Sequence, residues 1–138
     1  MYSNAINEKE AVEEAELAIE VLKKADVELD MPIYYDLEFS GEYPRGRADR
    51  LSMIQRAAIV KAFCTKIEQA GYRAGVYAGE YFFTRALRLQ DVEPYDLWYA
   101  VYTEDLVPPD FRGFDIWQFS ESTRIDGMPD ETDMNVIF

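Results

Sequence analysis

The sequence predicts an α/β fold built on parallel strands, and three observations carry that expectation. Short apolar runs rich in β-branched and aromatic residues alternate with stretches of helical periodicity. Helix-start and helix-stop signals fall between those runs. The resulting order of strand, helix, strand, helix, strand suits a sheet whose neighbours run the same way, because parallel strands need a crossover between them.

The elements follow in order. Tyr2 to Ile6 is expected to be the tail of a strand. Asn7 is placed as a helix N-cap, with Glu10 three residues on as in a capping box. The helix it starts runs to about Ala25, with Ala11, Val12, Ala15, Ala18, Ile19 and Leu22 as its apolar stripe. A strand is expected over Pro32–Glu38 and a loop over Phe39–Arg47, marked by Gly41, Pro44 and Gly46. Asp49 or Ser52 caps a second helix that ends near Ala70, with Gly71 in the C′ position. Leu51, Ile54, Ala58, Ala62, Phe63 and Ile67 are its expected buried face, and Cys64 within it reads as core. Arg73–Ala78 is the next strand, and Glu80–Leu87 a short helix. Leu97–Tyr102 is a third strand, Pro108-Pro109 breaks the chain, and Phe114–Phe119 is a fourth. The tail from Asp130 to Phe138 reads only as a short apolar end after Asp133.

Composition narrows the chemistry. The 138 residues are 49% hydrophobic and 14% aromatic, enough for one globular domain with a core. No apolar run approaches the ~20 residues that cross a bilayer. Met1-Tyr2-Ser3-Asn4 lacks the basic and apolar blocks of a signal peptide. A net charge of -13 argues against nucleic acid and anionic membrane surfaces as partners. With one cysteine no internal disulfide forms. With no histidine, Ser-His-Asp and Cys-His catalysis are excluded and a zinc site is disfavoured. Any catalysis would run on Asp and Glu, with Tyr and Lys behind them, and no cofactor is expected.

One strand carries the chemistry. In Pro32-Ile33-Tyr34-Tyr35-Asp36-Leu37-Glu38 the alternation of faces puts Tyr34, Asp36 and Glu38 on one side and Ile33, Tyr35 and Leu37 on the other. The two acids have Cα atoms about 6.5 Å apart. Each disfavours ionisation of the other, and such pairs divide into a proton holder and a charged partner. The alternative is a strand running out into solvent with acids at its wet end. In parallel α/β folds the site lies at the carboxyl ends of strands. Those ends are Asp36 and Glu38, Tyr77, Tyr102 and Gln118, a set of acids, aromatic faces and an amide that suits a sugar. Taken singly, each aromatic could equally be core.

These segments resemble glycoside hydrolase family 25, the lysozymes that cleave peptidoglycan after N-acetylmuramic acid. Tyr2-Ser3-Asn4-Ala5 and the acidic helix resemble the end of that family's third strand and the helix after it. Pro32–Glu38 resembles the strand with its Asp-x-Glu motif, and Phe63–Tyr77 the next helix and strand. Leu97–Tyr102, Ile116–Ser120 and the closing Asp133-Met134-Asn135 complete the ordered match. The resemblance implies an incomplete, TIM-like (β/α) barrel that lacks its first strands, covering roughly the last two-thirds of the catalytic domain as one unit. It implies a cleavage of the β-1,4 bond between N-acetylmuramic acid and N-acetylglucosamine with retention. Glu38 would be the general acid and then base, and Asp36 would stabilise positive charge, ionising before Glu38 as pH rises. Asp133, Tyr77, Trp98, Tyr102 and Gln118 would line the pocket and touch sugar. It implies peptidoglycan strands as partner and the cell wall or the outside of the cell as the place of action. The family's first-strand aspartate has no counterpart, so weak or absent turnover and self-association through open sheet edges are expected. A non-catalytic glycan-binding module is the alternative. An acidic metal-binding domain fits less well, since no loop here spaces oxygen ligands like an EF-hand.

Overall fold

The computed structural model describes residues 3–41, 46–103 and 113–138. Tyr2, Pro44 and the Pro108-Pro109 break lie outside them. Two helices and five strands form the frame: α1 Glu8–Ala25, β1 Ile33–Leu37, α2 Met53–Gln69, β2 Ala74–Gly79, β3 Asp96–Ala100, β4 Ile116–Thr123 and β5 Thr132–Ile137. The sheet order is β1-β2-β3-β4-β5, parallel through β4 and antiparallel between β4 and β5. The sheet does not close on itself: β1 and β5 are its two edges among the described residues. The mixed α/β class is as expected, and a closed barrel is not what these strands form.

The helices start where the sequence marks them. Asn7 Oδ1 accepts the Glu10 N–H, while the Glu10 carboxylate reaches back to the Ile6 N–H and the Asn7 side chain. Ser52, rather than Asp49, caps α2, and Gln55 completes a reciprocal capping box. Gly71 follows Ala70 with φ 88°, a left-handed conformation that suits glycine. Both helices pack over one face of the sheet. Ala11, Ala15 and Ile19 of α1 meet Ile59, Val60, Phe63, Cys64 and Ile67 of α2 and the buried Tyr35, Val76 and Tyr99 of the strands. The Tyr35 and Phe63 rings lie 4.8 Å apart. Each fully buried side chain of this size contributes roughly 1.5–3 kcal/mol, so this layer holds the sheet while its other face stays free.

Three expectations are corrected and one is refined. Residues 3–6 form no strand, because the chain turns at once into the α1 cap. Only the Ser3 N–H reaches the β1 edge, at the Asp36 carbonyl (3.2 Å), while Ser3 Oγ donates to Glu14 (2.6 Å) and meets the Tyr35 hydroxyl. Ile54 is 73% exposed. It belongs to the Ile54, Ala58, Ala62 row, which is rotated by about 120° or more from the row that is buried. The short helix after β2 starts at Glu80 as expected, and from Phe82 to Ala86 it winds as a π-helix, closed by the Leu87 N–H on the Phe82 carbonyl. There the Thr84 hydroxyl occupies the Glu80 carbonyl. Finally, the tail is a strand, β5, which lies beside β4 with register shifts between Gln118 and Thr123.

Candidate active site

The uncovered face of the sheet carries a cleft of about 310 Å³ at the carboxyl ends of the strands. Tyr34, Asp36, Glu38, Tyr77, Trp98, Tyr102, Gln118, Glu121 and Asp133 line it. Register builds the floor: Asp36 lies opposite Tyr77, and Tyr77 opposite Trp98, across β1, β2 and β3. Gln118 sits one pleat further on, opposite Ala100 and Asn135. Thus every residue singled out in the sequence, Asp36, Glu38, Tyr77, Trp98, Tyr102, Gln118 and Asp133, reaches the same cleft.

Aromatic packing fixes the walls. The Trp98 ring meets Tyr34 at 5.2 Å and Tyr77 at 5.1 Å, both edge-to-face, the arrangement their ring charges favour. Trp98 Nε1 donates to Asn135 Oδ1 (2.8 Å), tying β3 to β5 across β4. Gln118 is 3% exposed, and its Oε1 accepts from the Tyr77 hydroxyl (2.7 Å) and the Tyr102 hydroxyl (3.1 Å). Burial first, and nearby acidic groups after it, push both phenols upward; Tyr102 stands at about 12.

The two acids differ in setting. Glu38 is exposed at the strand's end, whereas Asp36 is half-buried. Asp36 Oδ1 is shielded from water and has no hydrogen-bond partner among the described residues. An acceptor left in that state is costly when charged. Burial, and then the charge of Glu38, push the Asp36 carboxyl up to about 6. Burial thus works against the expectation that Asp36 is the readier acid to ionise.

Two lining residues had been passed over. Alternation put Tyr34 on the acids' strand face without assigning it to the cleft, which it lines. Glu121 stands three residues beyond Gln118, which strict alternation would put on the opposite face. The irregular register after Gln118 restores it to the cleft.

Two further features bound the site. Among the described residues no three His, Cys, Asp or Glu side chains come together as a metal cage. A larger groove, about 660 Å³, runs between α1 and α2, but its walls are solvated helix side chains such as Lys66 and Lys24, paired with Glu16 and Glu20. Those charges pair with one another on the helix surfaces, so the smaller cleft, with its acids and aromatic walls, is the better candidate.

The sequence matches the profile of Glycosyl hydrolases family 25 over residues 1–128. No curated protein is similar enough in sequence to count as a match. Among solved structures, the modular autolysin LytC from Streptococcus pneumoniae is 27% identical with a TM-score of 0.81, over 99% of this chain and 32% of that one. A second structure of LytC, in complex with a synthetic peptidoglycan ligand, gives 25% identity and a TM-score of 0.84 over the same shares. The catalytic domain of endolysin ply40, from bacteriophage P40 of Listeria monocytogenes, is 21% identical with a TM-score of 0.64, over 99% of this chain and 65% of that domain. The chain thus spans about a third of the length of LytC.

Proposed function

Since the chain belongs to Glycosyl hydrolases family 25, we propose that its cleft is the acid and sugar-binding part of a peptidoglycan hydrolase. The bond cut is the β-1,4 link between N-acetylmuramic acid and N-acetylglucosamine. The observation that carries this reading is the convergence of the Asp36–Glu38 pair with three aromatic walls at the carboxyl ends of parallel strands.

The acids take different roles because they stand in different surroundings. Glu38, exposed at the mouth, protonates the leaving oxygen and then takes a proton from the incoming water. Asp36, once ionised, faces the positive charge that develops at the anomeric carbon. Its unpartnered Oδ1 suits the N–H of the substrate's N-acetyl group, whose oxygen then attacks with retention. Tyr77, Trp98 and Tyr102 offer faces and edges to the sugar rings, and Asp133 borders the same space.

On this reading the five strands are one arc of a (β/α) barrel with further strands beyond β1, and residues 1–138 are a single partial catalytic domain acting at the cell wall. The 65% share of the ply40 catalytic domain supports that extent. The open edge at β1 also favours a second reading, in which the chain holds glycan strands without turning them over. Purified peptidoglycan separates the two. Release of fragments with a reducing N-acetylmuramic acid end, however slow, supports the hydrolase. Binding without such release supports the second reading. Neither binding nor release would overturn both.

A further inference from the structure

Three hydrogen-bond donors of the cleft, on Tyr77, Tyr102 and Trp98, are spent on protein acceptors. Tyr77 and Tyr102 both aim their hydroxyl protons at one atom, Gln118 Oε1. Trp98 aims its N–H at Asn135. A phenol has one proton and two lone pairs, so a phenol that donates to the protein presents its oxygen as an acceptor. Glu121 also lies beside the Tyr102 hydroxyl. With its proton on Gln118, the Tyr102 oxygen keeps lone-pair capacity, shared with the neighbouring Tyr77 hydroxyl. Asp36 Oδ1, unpartnered, is a further acceptor on the same floor.

We propose that Gln118 is a positioning residue that sets the polarity of the cleft wall: by taking both phenol protons it makes Tyr77 and Tyr102 acceptors. The wall then favours glycan groups that bring their own hydrogens, namely the amide N–H and hydroxyls of N-acetylated sugars. It disfavours a carboxylate set against Tyr77 and Tyr102, because two lone-pair walls and the acids Asp36, Glu38, Glu121 and Asp133 face it, so N-acetylmuramic acid fits with its carboxyl turned away from this wall. This selection rests on the glycan-binding reading above and names the residue that enforces it. Gln118 is buried against the tyrosines, so it acts through them rather than by touching sugar with its carbonyl.

Gln118→Leu tests this, with Gln118→Glu as the conservative variant, since a glutamate keeps a side-chain oxygen in either protonation state. Binding of an N-acetylglucosamine tetramer and of a tetragalacturonate is measured by calorimetry. The leucine variant is expected to bind the neutral tetramer roughly tenfold more weakly, the loss of about one hydrogen bond, and to narrow its preference over the anionic one. The glutamate variant should stay within about threefold for the neutral tetramer. A second readout needs no ligand. Slowly exchanging hydroxyl protons of Tyr77 and Tyr102, assigned with Tyr77→Phe and Tyr102→Phe, should be visible by NMR in the wild type and absent in Gln118→Leu. Unchanged tetramer binding with unchanged hydroxyl signals in the leucine variant would overturn the proposal. So would equal losses in both variants together with a matching fall in thermal stability, which marks a purely structural role. A wild type that binds neither tetramer would sink the glycan reading instead, and the hydroxyl signals would still judge the assignment of Gln118.

Discussion

Substituting alanine for Gly75 should disturb the cleft from beneath. Gly75 lies on β2 opposite Tyr34, and the Tyr34 ring rests on it. A Cβ there would stand 2.5 Å from Tyr34 Cε1, 2.6 Å from Cδ1 and 2.8 Å from the Asp96 carbonyl oxygen. Carbon atoms pack at about 3.5–4.0 Å, so the ring must retreat by roughly 1 Å. Overpacking of this kind costs about 1–3 kcal/mol. For 138 residues the unfolding entropy is about 0.3 kcal/mol/K, so the melting temperature should fall by roughly 3–10 °C. The displaced ring also leaves its contact with Trp98, now 5.2 Å between centroids. Such pairs carry about 0.5–1.5 kcal/mol, which predicts up to about tenfold weaker glycan binding. A double-mutant cycle isolates the cause. In a Tyr34→Ala background the ring clash is gone and only the Asp96 carbonyl contact remains. The cost of Gly75→Ala should then shrink by about 1 kcal/mol. If thermal melts show the same cost in both backgrounds, the ring is not what Gly75 accommodates, and the reasoning fails.

Four other outcomes are expected. Glu38→Gln should lower reducing-end release by on the order of a hundred- to ten-thousandfold; activity within a few-fold of the parent would remove Glu38 from the acid/base role. The Asp36 carboxyl should titrate near 6 by carbon NMR, above its ordinary 3.8. Because folding then takes up a proton, Asp36→Asn should gain stability relative to wild type as pH rises from about 4 to 6, and a midpoint at the ordinary value would refute this. The Asp49 carboxylate accepts from Ser40 N (3.2 Å), Ser40 Oγ (3.0 Å) and Gly46 N (2.7 Å), which hold it below its ordinary value. Asp49→Ala should therefore cost about 2–3 kcal/mol in urea melts near neutral pH, with the cost shrinking in acid as wild-type Asp49 protonates; a cost under about 0.5 kcal/mol would contradict that. Light scattering should find the chain self-associating through its open edges, since Val136 and Ile137 of β5 and Phe138 just after it are 39%, 65% and 67% exposed; a stable monomer at high concentration counts against it.

Much of the fold was legible because local chemistry and tertiary packing agree. Asn7 and Ser52 cap because each precedes an apolar stripe and stands three residues before a side chain that can reach back. Strands β1 to β3 were legible because both their residue types and their bounding turns mark them. Where the reading failed, a global constraint decided. The row Ile54, Ala58 and Ala62 has good helical spacing. Phe63 and Ile67 set which row meets the sheet, and they bury Ile59, Val60 and Cys64 beside them. Thr132–Ile137 alternates well enough to be a strand, yet its polar Asp133 and Asn135 disguised it. Its pairing with β4 is an antiparallel addition to a parallel sheet, which no crossover signal announces.

The site divides along the same line. Which residues share the cleft follows from alternation and from the rule that strands of such sheets end at the site, so Asp36, Tyr77 and Gln118 were nameable from spacing. Which acid keeps its proton does not follow from spacing, because the motif is nearly symmetric between Asp36 and Glu38. Depth separates their surroundings. Asp36 is inside the strand with an oxygen that no donor reaches, whereas Glu38 is past its end and exposed. A ligand N–H at Asp36 Oδ1 would supply the missing donor and lower that carboxyl, since hydrogen bonds to the charged form favour it. Glycan binding and ionisation of Asp36 are then linked. The ligand should bind more tightly as pH rises through about 6 and should draw the Asp36 titration downward when bound. Binding that is flat across that range in wild type, and equally flat in Asp36→Asn, would separate the acid from the ligand and leave the orphaned oxygen without a role.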